Sequence, residues 1–152
     1  MNRSLRTMPM NRMMVRKKSR TRSEIMASVK SRDTAPEKAV RSIVHRLGYR
    51  FRLRNAKLPG SPDLAFPSRD RLIFVHGCFW HGHDCVRGAR IPVTNQTYWI
   101  SKIQRNRVRD RAVQGKLKRL GWKVAIIWEC ELKNVDLLER RIRRFFKDKT
   151  LV

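Results

Sequence analysis

One ten-residue stretch, His76-Gly-Cys-Phe-Trp-His-Gly-His-Asp-Cys85, limits what this chain can fold into more than any other. It holds three of the four histidines and two of the three cysteines, with a Phe79-Trp80 pair among them. Packing alone does not call for that mixture. His and Cys together bind borderline-soft metals such as Zn²⁺, and adjacent aromatics on a polar loop suit stacking or wedging. The apolar run Leu72-Ile-Phe-Val75 leads straight into the stretch, so a buried strand is expected to end there and deliver it to a rim.

The rest of the chain reads as elements around that strand. Thr34 can cap a helix, Pro36 suits its first turn, and Glu37 completes a capping box, which gives Glu37 a sufficient structural reason to exist. Val40, Ile43, Val44 and Leu47 then recur at helical spacing until Gly48 stops the helix. Tyr49, Phe51 and Leu53 alternate with Arg50, Arg52 and Arg54, the pattern of a half-buried strand with a basic outer face. A Pro/Gly turn, Leu58-Pro-Gly-Ser-Pro-Asp63, precedes the short apolar run Leu64-Ala-Phe66. After another turn, Leu72 to Val75 follows, so three strands form a meander whose last member is central.

A helix is expected from about 98 to 120, with Ile100, Ile103, Ala112, Val113, Leu117 and Leu120 inward. Lys102, Arg105, Arg107, Arg109 and Arg111 face outward along phosphates. Asp110 is alone among these cations and reads as a partner for Asn106, Arg107 or the neighbourhood of Lys118. Lys123-Val-Ala-Ile-Ile-Trp128 is a buried fourth strand, and a cationic amphipathic helix is expected from Leu132 to Phe146. The order helix, three strands, helix, strand, helix makes the fold class α/β, a mixed β-sheet flanked by α-helices.

At 152 residues the chain is one domain's worth. Its 37 Lys and Arg against 12 acidic residues give a formal net charge of +25, for which a polyanion is the natural neutraliser. Charge alone fits a basic RNA-binding protein as well as a DNA enzyme. No stretch reaches the roughly 18 apolar residues of a spanning helix, so no membrane partner is expected. Three cysteines and no apolar signal segment point to a reducing, cytoplasmic setting. Residues 1–20, rich in Arg, Lys and Met, read as a flexible basic arm before a single domain over 21–152.

Two kinds of site can be read from the residues. Cys78, His83 and Cys85 lie close in sequence, and Cys130 arrives from the end of a distant strand. Four such N/S donors make the closed tetrahedral set of a structural zinc site. His81 or His76 could replace His83 on the same pattern, and three thiols buried as small hydrophobes are the alternative. A metal-dependent phosphodiesterase also needs a carboxylate to place Mg²⁺ and a group to move protons. Asp63, opening the strand beside the cluster, fits the first role; His76 and His81 fit the second.

With Pro62-Asp63, the strand into His76-Gly-Cys-Phe-Trp-His81 and Trp128-Glu-Cys130 in place, the chain closely resembles the very-short-patch repair (Vsr) mismatch endonucleases of bacteria. The resemblance runs from about Arg22-Ser23, through Arg32-Asp33-Thr34 and Leu58-Pro-Gly-Ser-Pro-Asp63, to Trp128-Glu-Cys-Glu-Leu132. It implies a restriction-endonuclease-like fold and a Mg²⁺-dependent nick on the 5′ side of the T of a T·G mismatch left by 5-methylcytosine deamination. Carried over by position, Asp63 is the Mg²⁺ carboxylate and Val75 offers its backbone carbonyl. His81 is the catalytic acid/base, and His76, Asp110 and Glu37 complete the site. Zinc falls to Cys78, His83, Cys85 and Cys130. Phe79, Trp80 and Trp99 wedge beside the mismatch, which gives Phe79 and Trp80 a reason to be exposed.

Some relatives carry Thr where Val75 stands; a backbone carbonyl tolerates that change. The arm before Arg20 has no counterpart in the resemblance, and the chain after Leu132 is short. The implied partners are double-stranded DNA with a T·G mismatch and the repair protein MutL, acting on a monomer. A restriction-like nuclease of the same fold and a zinc-stabilised DNA-binding module without catalysis are the competing readings.

Overall fold

The structure is a computed structural model that describes residues 33–53 and 55–148. The expected basic arm over 1–20 lies outside the described residues. The elements follow the order α1 (Ala35–Arg46), β1 (Arg52–Leu53), β2 (Leu64–Phe66), β3 (Arg71–His76), α2 (Gln96–Arg119), β4 (Lys123–Trp128) and α3 (Val135–Lys147). The four strands form one sheet in the order β1-β2-β3-β4. β1 to β3 make an antiparallel meander, while β4 runs parallel to β3 with Arg71 opposite Lys123 and His76 opposite Trp128.

Strand alternation divides the core in two. Leu64, Phe66, Ile73 and Ile127 point to one face, where α1 (Val40, Ile43, Val44) and α3 (Leu138, Ile142, Phe146) cover them. Ala65, Leu72 and Phe74 point to the other face and pack on Leu117, with Val113, Val124 and Ile126 at the margin. His76 shares the parity of Leu72 and Phe74, so it falls on the α2 side. Both apolar runs, in β2 and β3, are buried on both faces, which is why they read as continuous rather than alternating.

The ends of α1 and α2 share one device. Gly48 has φ +89° and Gly121 has φ +84°, the left-handed region that a side chain disfavours. Each allows the two bonds of a Schellman motif: Tyr49 N–H to Val44 O at 3.2 Å with Gly48 N–H to His45 O, and Trp122 N–H to Leu117 O at 3.0 Å with Gly121 N–H to Lys118 O. At the start of α1 the expected capping box is displaced by one residue. Thr34 Oγ1 accepts from Glu37 N–H at 3.4 Å, but Glu37 reaches back to the amide of Asp33 at 3.0 Å rather than to that of Thr34.

Three sequence expectations change. Among the described residues of the strand read over 49–54 only Arg52–Leu53 pairs, and the Tyr49 ring stacks on Phe146 at 3.9 Å and 18°. Along α2 and its cap, Ile103 and Leu117 are buried as expected, but Ile100, Ala112 and Leu120 are exposed, and Trp99 joins the buried set instead. The helix read from Leu132 begins only at Val135: Glu129–Lys133 is a 3₁₀ turn, and Asn134 caps α3 by accepting from Leu137 N–H at 3.1 Å.

The outer edge of β4 is closed by side chains. Arg141 donates to the Ile126 carbonyl at 2.8 Å and pairs with Glu131, which accepts from Trp128 N–H at 2.7 Å. That removes edge groups otherwise open to another strand. On the outer face of α3, Arg140, Arg143, Arg144 and Lys147 stand exposed at i, i+3, i+4 and i+7. Like charges at these spacings cost a helix roughly 0.2–0.5 kcal/mol per pair, partly offset for the two in the last turn by the helix dipole. Packing holds α3 in place against that repulsion. Leu138→Ala, at a position 1% exposed, should therefore cost about 2–5 kcal/mol, whereas Leu137→Ala, 55% exposed, should change stability by less than about 0.5 kcal/mol. Urea unfolding midpoints of the two variants check this.

Candidate active site and metal-binding group

β3 ends at His76, and the chain then turns through Gly77 to Asn95 before entering α2. This loop folds around Cys78, which is fully buried: His83 N–H donates to Cys78 O at 2.9 Å and Ala89 N–H to Cys85 O at 2.8 Å. Two glycines make the fold possible. Gly82 has φ +61° and lies so close to α2 that a Cβ there would meet Ile103 at 2.6 Å. A Cβ on Gly88 would meet the His83 carbonyl at 1.9 Å. β4 runs parallel to β3, so its C-terminal turn comes to the same end of the sheet and brings Cys130 to the loop.

The donor atoms of Cys78, His83, Cys85 and Cys130 all lie within 4.8 Å of one another, with His83 Nδ1 3.5 Å from Cys130 Sγ. His83, rather than His76 or His81, is the histidine that joins the cysteines. The three thiols lie side by side, not dispersed through the core as small hydrophobes. Burial pushes the Cys78 thiol up to about 12, while the Gly88 amide and then His83 draw Cys85 down to about 6. A cation among them would reverse the penalty on Cys78, because coordination deprotonates a thiol. Two Sγ of one strand-end loop, one from a distant turn and one imidazole are the donor chemistry that zinc takes, and this group could hold such an ion.

The other two histidines form a second group. His76 and His81 stack face to face at 3.8 Å and 12°, and His81 Nδ1 lies 2.5 Å from Asp110 Oδ2, delivered by α2. Asp110 is thus no solvated partner of Asn106: it is half-buried against His81, and Asn106 instead donates to the Trp80 carbonyl at 2.8 Å. Burial, then the neighbouring His81, pushes His76 down to about 4, so its ring is neutral at pH 7. His76 Nδ1 is buried and has no hydrogen-bond partner among the described residues. These donors also fall within 4.8 Å, yet one ion would fit them poorly. Imidazole lone pairs lie in the ring planes, and two nearly parallel planes 3.8 Å apart do not converge on a single point. The geometry suits proton transfer better than chelation.

Asp63 joins this end of the sheet through Val75. The ladder between β2 and β3 ends at Leu64–Ile73, and the next inward-facing amide, Val75 N–H, donates to Asp63 Oδ2 at 2.7 Å. The N–H and C=O of one strand residue face the same edge, so the Val75 carbonyl lies on the Asp63 side. Carboxylate and carbonyl oxygens are the kind of ligand that a hard cation takes, which stacked imidazoles are not. Glu37 belongs to neither donor group. It is 6% exposed, and its oxygens bind the Thr34 hydroxyl at 2.9 Å, the Asp33 amide at 3.0 Å and Arg41 at 3.1 Å.

The aromatic residues gather beside the histidines. Phe79 lies 5.1 Å from Trp80 and 5.6 Å from Trp99, all edge to face. Trp99 is buried, while Phe79 and Trp80, expected to be exposed, are half-buried. Two roles escaped the sequence reading, that of Lys102 with Asn106 and that of Trp128. Lys102, whose Nζ sits 5.3 Å over the Trp80 ring, Asn106 and Asp110 are spaced by four and so share one face of α2 towards the loop. That spacing was the available signal. Trp128 is the second: it stacks on His83 at 4.2 Å and meets His76 edge-on at 5.3 Å, and so touches both groups. Among the described residues no helix is long and apolar enough to cross a membrane.

Known proteins resemble this chain over most of its length. A family model described as DNA mismatch endonuclease Vsr matches residues 14–87. The type II nicking enzyme V.XorIIP of Xanthomonas oryzae pv. oryzae is 51% identical over 122 residues, 80% of this chain and 89% of that protein. The DNA mismatch endonuclease Vsr of Escherichia coli K12 is 42% identical over 118 residues, 78% of this chain and 75% of its own. The type II nicking enzyme V.NmeAIP of Neisseria meningitidis is 37% identical over 127 residues, 84% of this chain and 90% of its own. Over such shares of both partners these identities are decisive, and the chain belongs to the Vsr family of DNA mismatch endonucleases.

Proposed function

We propose that this protein nicks double-stranded DNA on the 5′ side of the T in a T·G mismatch, using Mg²⁺, on a restriction-endonuclease-like fold braced by structural zinc. The observation that carries the reading is the His81–Asp110 pair, stacked on neutral His76 at the strand end where Asp63 is bonded to Val75. The names of the relatives, nicking enzymes and a mismatch endonuclease, support it.

In this proposal each group has one task. Asp110 accepts the Nδ1 proton of His81, which orients the ring and leaves Nε2 as the proton-transferring atom. His76 stays neutral through burial, so the stacked rings need not both carry charge. Asp63 and the Val75 carbonyl would hold Mg²⁺, which supplies charge neutralisation at the scissile phosphate. Glu37, fixed by Thr34, Asp33 and Arg41, has a supporting role at the head of α1. Phe79, Trp80 and Trp99 form the wedge; opening a base step costs a few kcal/mol, least at a weakly paired T·G. Zinc on Cys78, His83, Cys85 and Cys130 would tie the wedge loop to the turn after β4, and thus keep both next to His81. Assignment as a monomer, cytoplasmic in bacteria and served by MutL, is part of the same proposal.

End-labelled duplexes differing only at one T·G or T·A pair test it. The T-bearing strand of the mismatch alone should be nicked, and only with Mg²⁺; cutting of the paired control would favour a restriction-like nuclease, and binding without any nick a DNA-binding module. Asp63→Ala should abolish nicking while sparing mismatch binding, and cleavage retained there would remove Asp63 from the metal. His81→Ala should slow single-turnover nicking by about 10²–10⁴-fold, the usual worth of a positioned acid/base. Cys130→Ser should purify with substoichiometric zinc and a lower Tm, by metal analysis and thermal unfolding; full zinc occupancy would count against the assignment.

A further inference from the structure

α3 carries a feature that neither cleavage nor folding uses. Its buried face is Leu138, Ile142 and Phe146, and its flanks are committed: Glu139 pairs with Arg46 at 2.5 Å on α1, and Arg141 braces the edge of β4. The remaining face presents Arg140, Arg143, Arg144 and Lys147, which cluster within one sector of roughly 100° on the helix. Among the described residues none of these four makes an ion pair; Glu131, Glu139 and Asp148 are turned to Arg141, Arg46 and Lys123, and the one acid on the same face, Asp136, lies a turn before Arg140 at the head of the helix. A solvated face gains little from four mutually repelling cations that a single carboxylate, Asp136, offsets only at one end.

The stripe is also set apart from the candidate active site. α3 covers the sheet face opposite α2, whereas His81 and Asp110 lie on the α2 side. α3 runs away from the site, since its last turn is held by Arg71 at the start of β3, through Nε to Phe145 O at 2.9 Å. A membrane surface is a poor occupant, because the apolar face that would insert is already packed in the core. Cations spaced along a helix with no acid between them match the phosphates of a nucleic acid backbone.

We propose that the outer face of α3, through Arg140, Arg143, Arg144 and Lys147, binds the phosphates of a second segment of duplex DNA while the candidate active site holds the first. The choice of duplex DNA as the polyanion rests on the function proposed above. Such a surface would keep the enzyme attached to neighbouring DNA while a mismatch is engaged or released.

The test fills the site first. Protein saturated with a short T·G duplex bearing an uncleavable linkage at the nick position is titrated with a fluorescent, fully paired duplex, and anisotropy is followed over a range of salt. Wild type should bind the second duplex. The Arg140→Gln/Arg143→Gln/Arg144→Gln variant should bind it about tenfold or more weakly, with a log K against log salt slope shallower by about 3, roughly 0.9 for each phosphate that is no longer neutralised. The corresponding triple Lys variant, which keeps the charge, should retain binding, and all three proteins should nick a short cleavable T·G duplex at the same rate with the same helical circular dichroism. No binding of the second duplex by wild type, or equal binding by the Gln variant, overturns the proposal. Wild type that binds the second duplex as expected but nicks no mismatch leaves this surface standing and removes the nickase reading.

Discussion

The parallel pairing of β3 with β4 is the constraint on which everything else rests. Six register pairs, from Arg71–Lys123 to His76–Trp128, put both C-terminal strand ends at the same edge of the molecule. Cys78 and Cys130, 52 positions apart in the chain, meet for that reason alone. A parallel pair also requires a crossover, and here the crossover is α2, which returns over the sheet and brings Asp110 to His81. One pairing therefore assembles a metal-binding group and a proton-transferring pair together.

The two groups stay distinct because their environments differ. His83 sits among thiols, with Trp128 against its ring, and its Nδ1 faces Cys130. His76 and His81 stack on each other, one buried and neutral, the other held by a carboxylate. A soft donor set and a carboxylate–imidazole couple within a few residues would compete for one ion if they shared a cavity. Trp128 touches both, its ring stacked on His83 and edge-on to His76.

Local structure was legible wherever one short-range interaction decides it. Gly48 and Gly121 stop helices through a positive φ that no neighbour has to supply, and Thr34 caps because its hydroxyl reaches an amide three residues on. Misreadings arose where a distant partner competes. Tyr49 continues an alternating pattern, yet its ring stacks on Phe146 from the other end of the chain. Ile100 and Leu120 have helical spacing, yet they fall outside the arc of α2 that the sheet covers. Asp110 illustrates the same limit: its own helix offers Arg and Asn partners, but the half-buried imidazole of His81 is closer at 2.5 Å and repays a charged contact more than solvated arginines do.

By itself the sequence determined the class of the fold, the order of its elements, the identity of the donors and the resemblance to the Vsr endonucleases, because each depends on residue type, spacing or motif. Residue chemistry left open which histidine joins the cysteines and which faces Asp110; the resemblance implied His83 for the cysteines, and the tertiary structure sets His83 by the thiols, His81 by Asp110 and Asp63 by Val75. Three imidazoles within eight residues are chemically equivalent on paper. Strand parity, two glycine-dependent turns and the Trp128 ring make them different, and those are properties of how the loop is seated on the sheet.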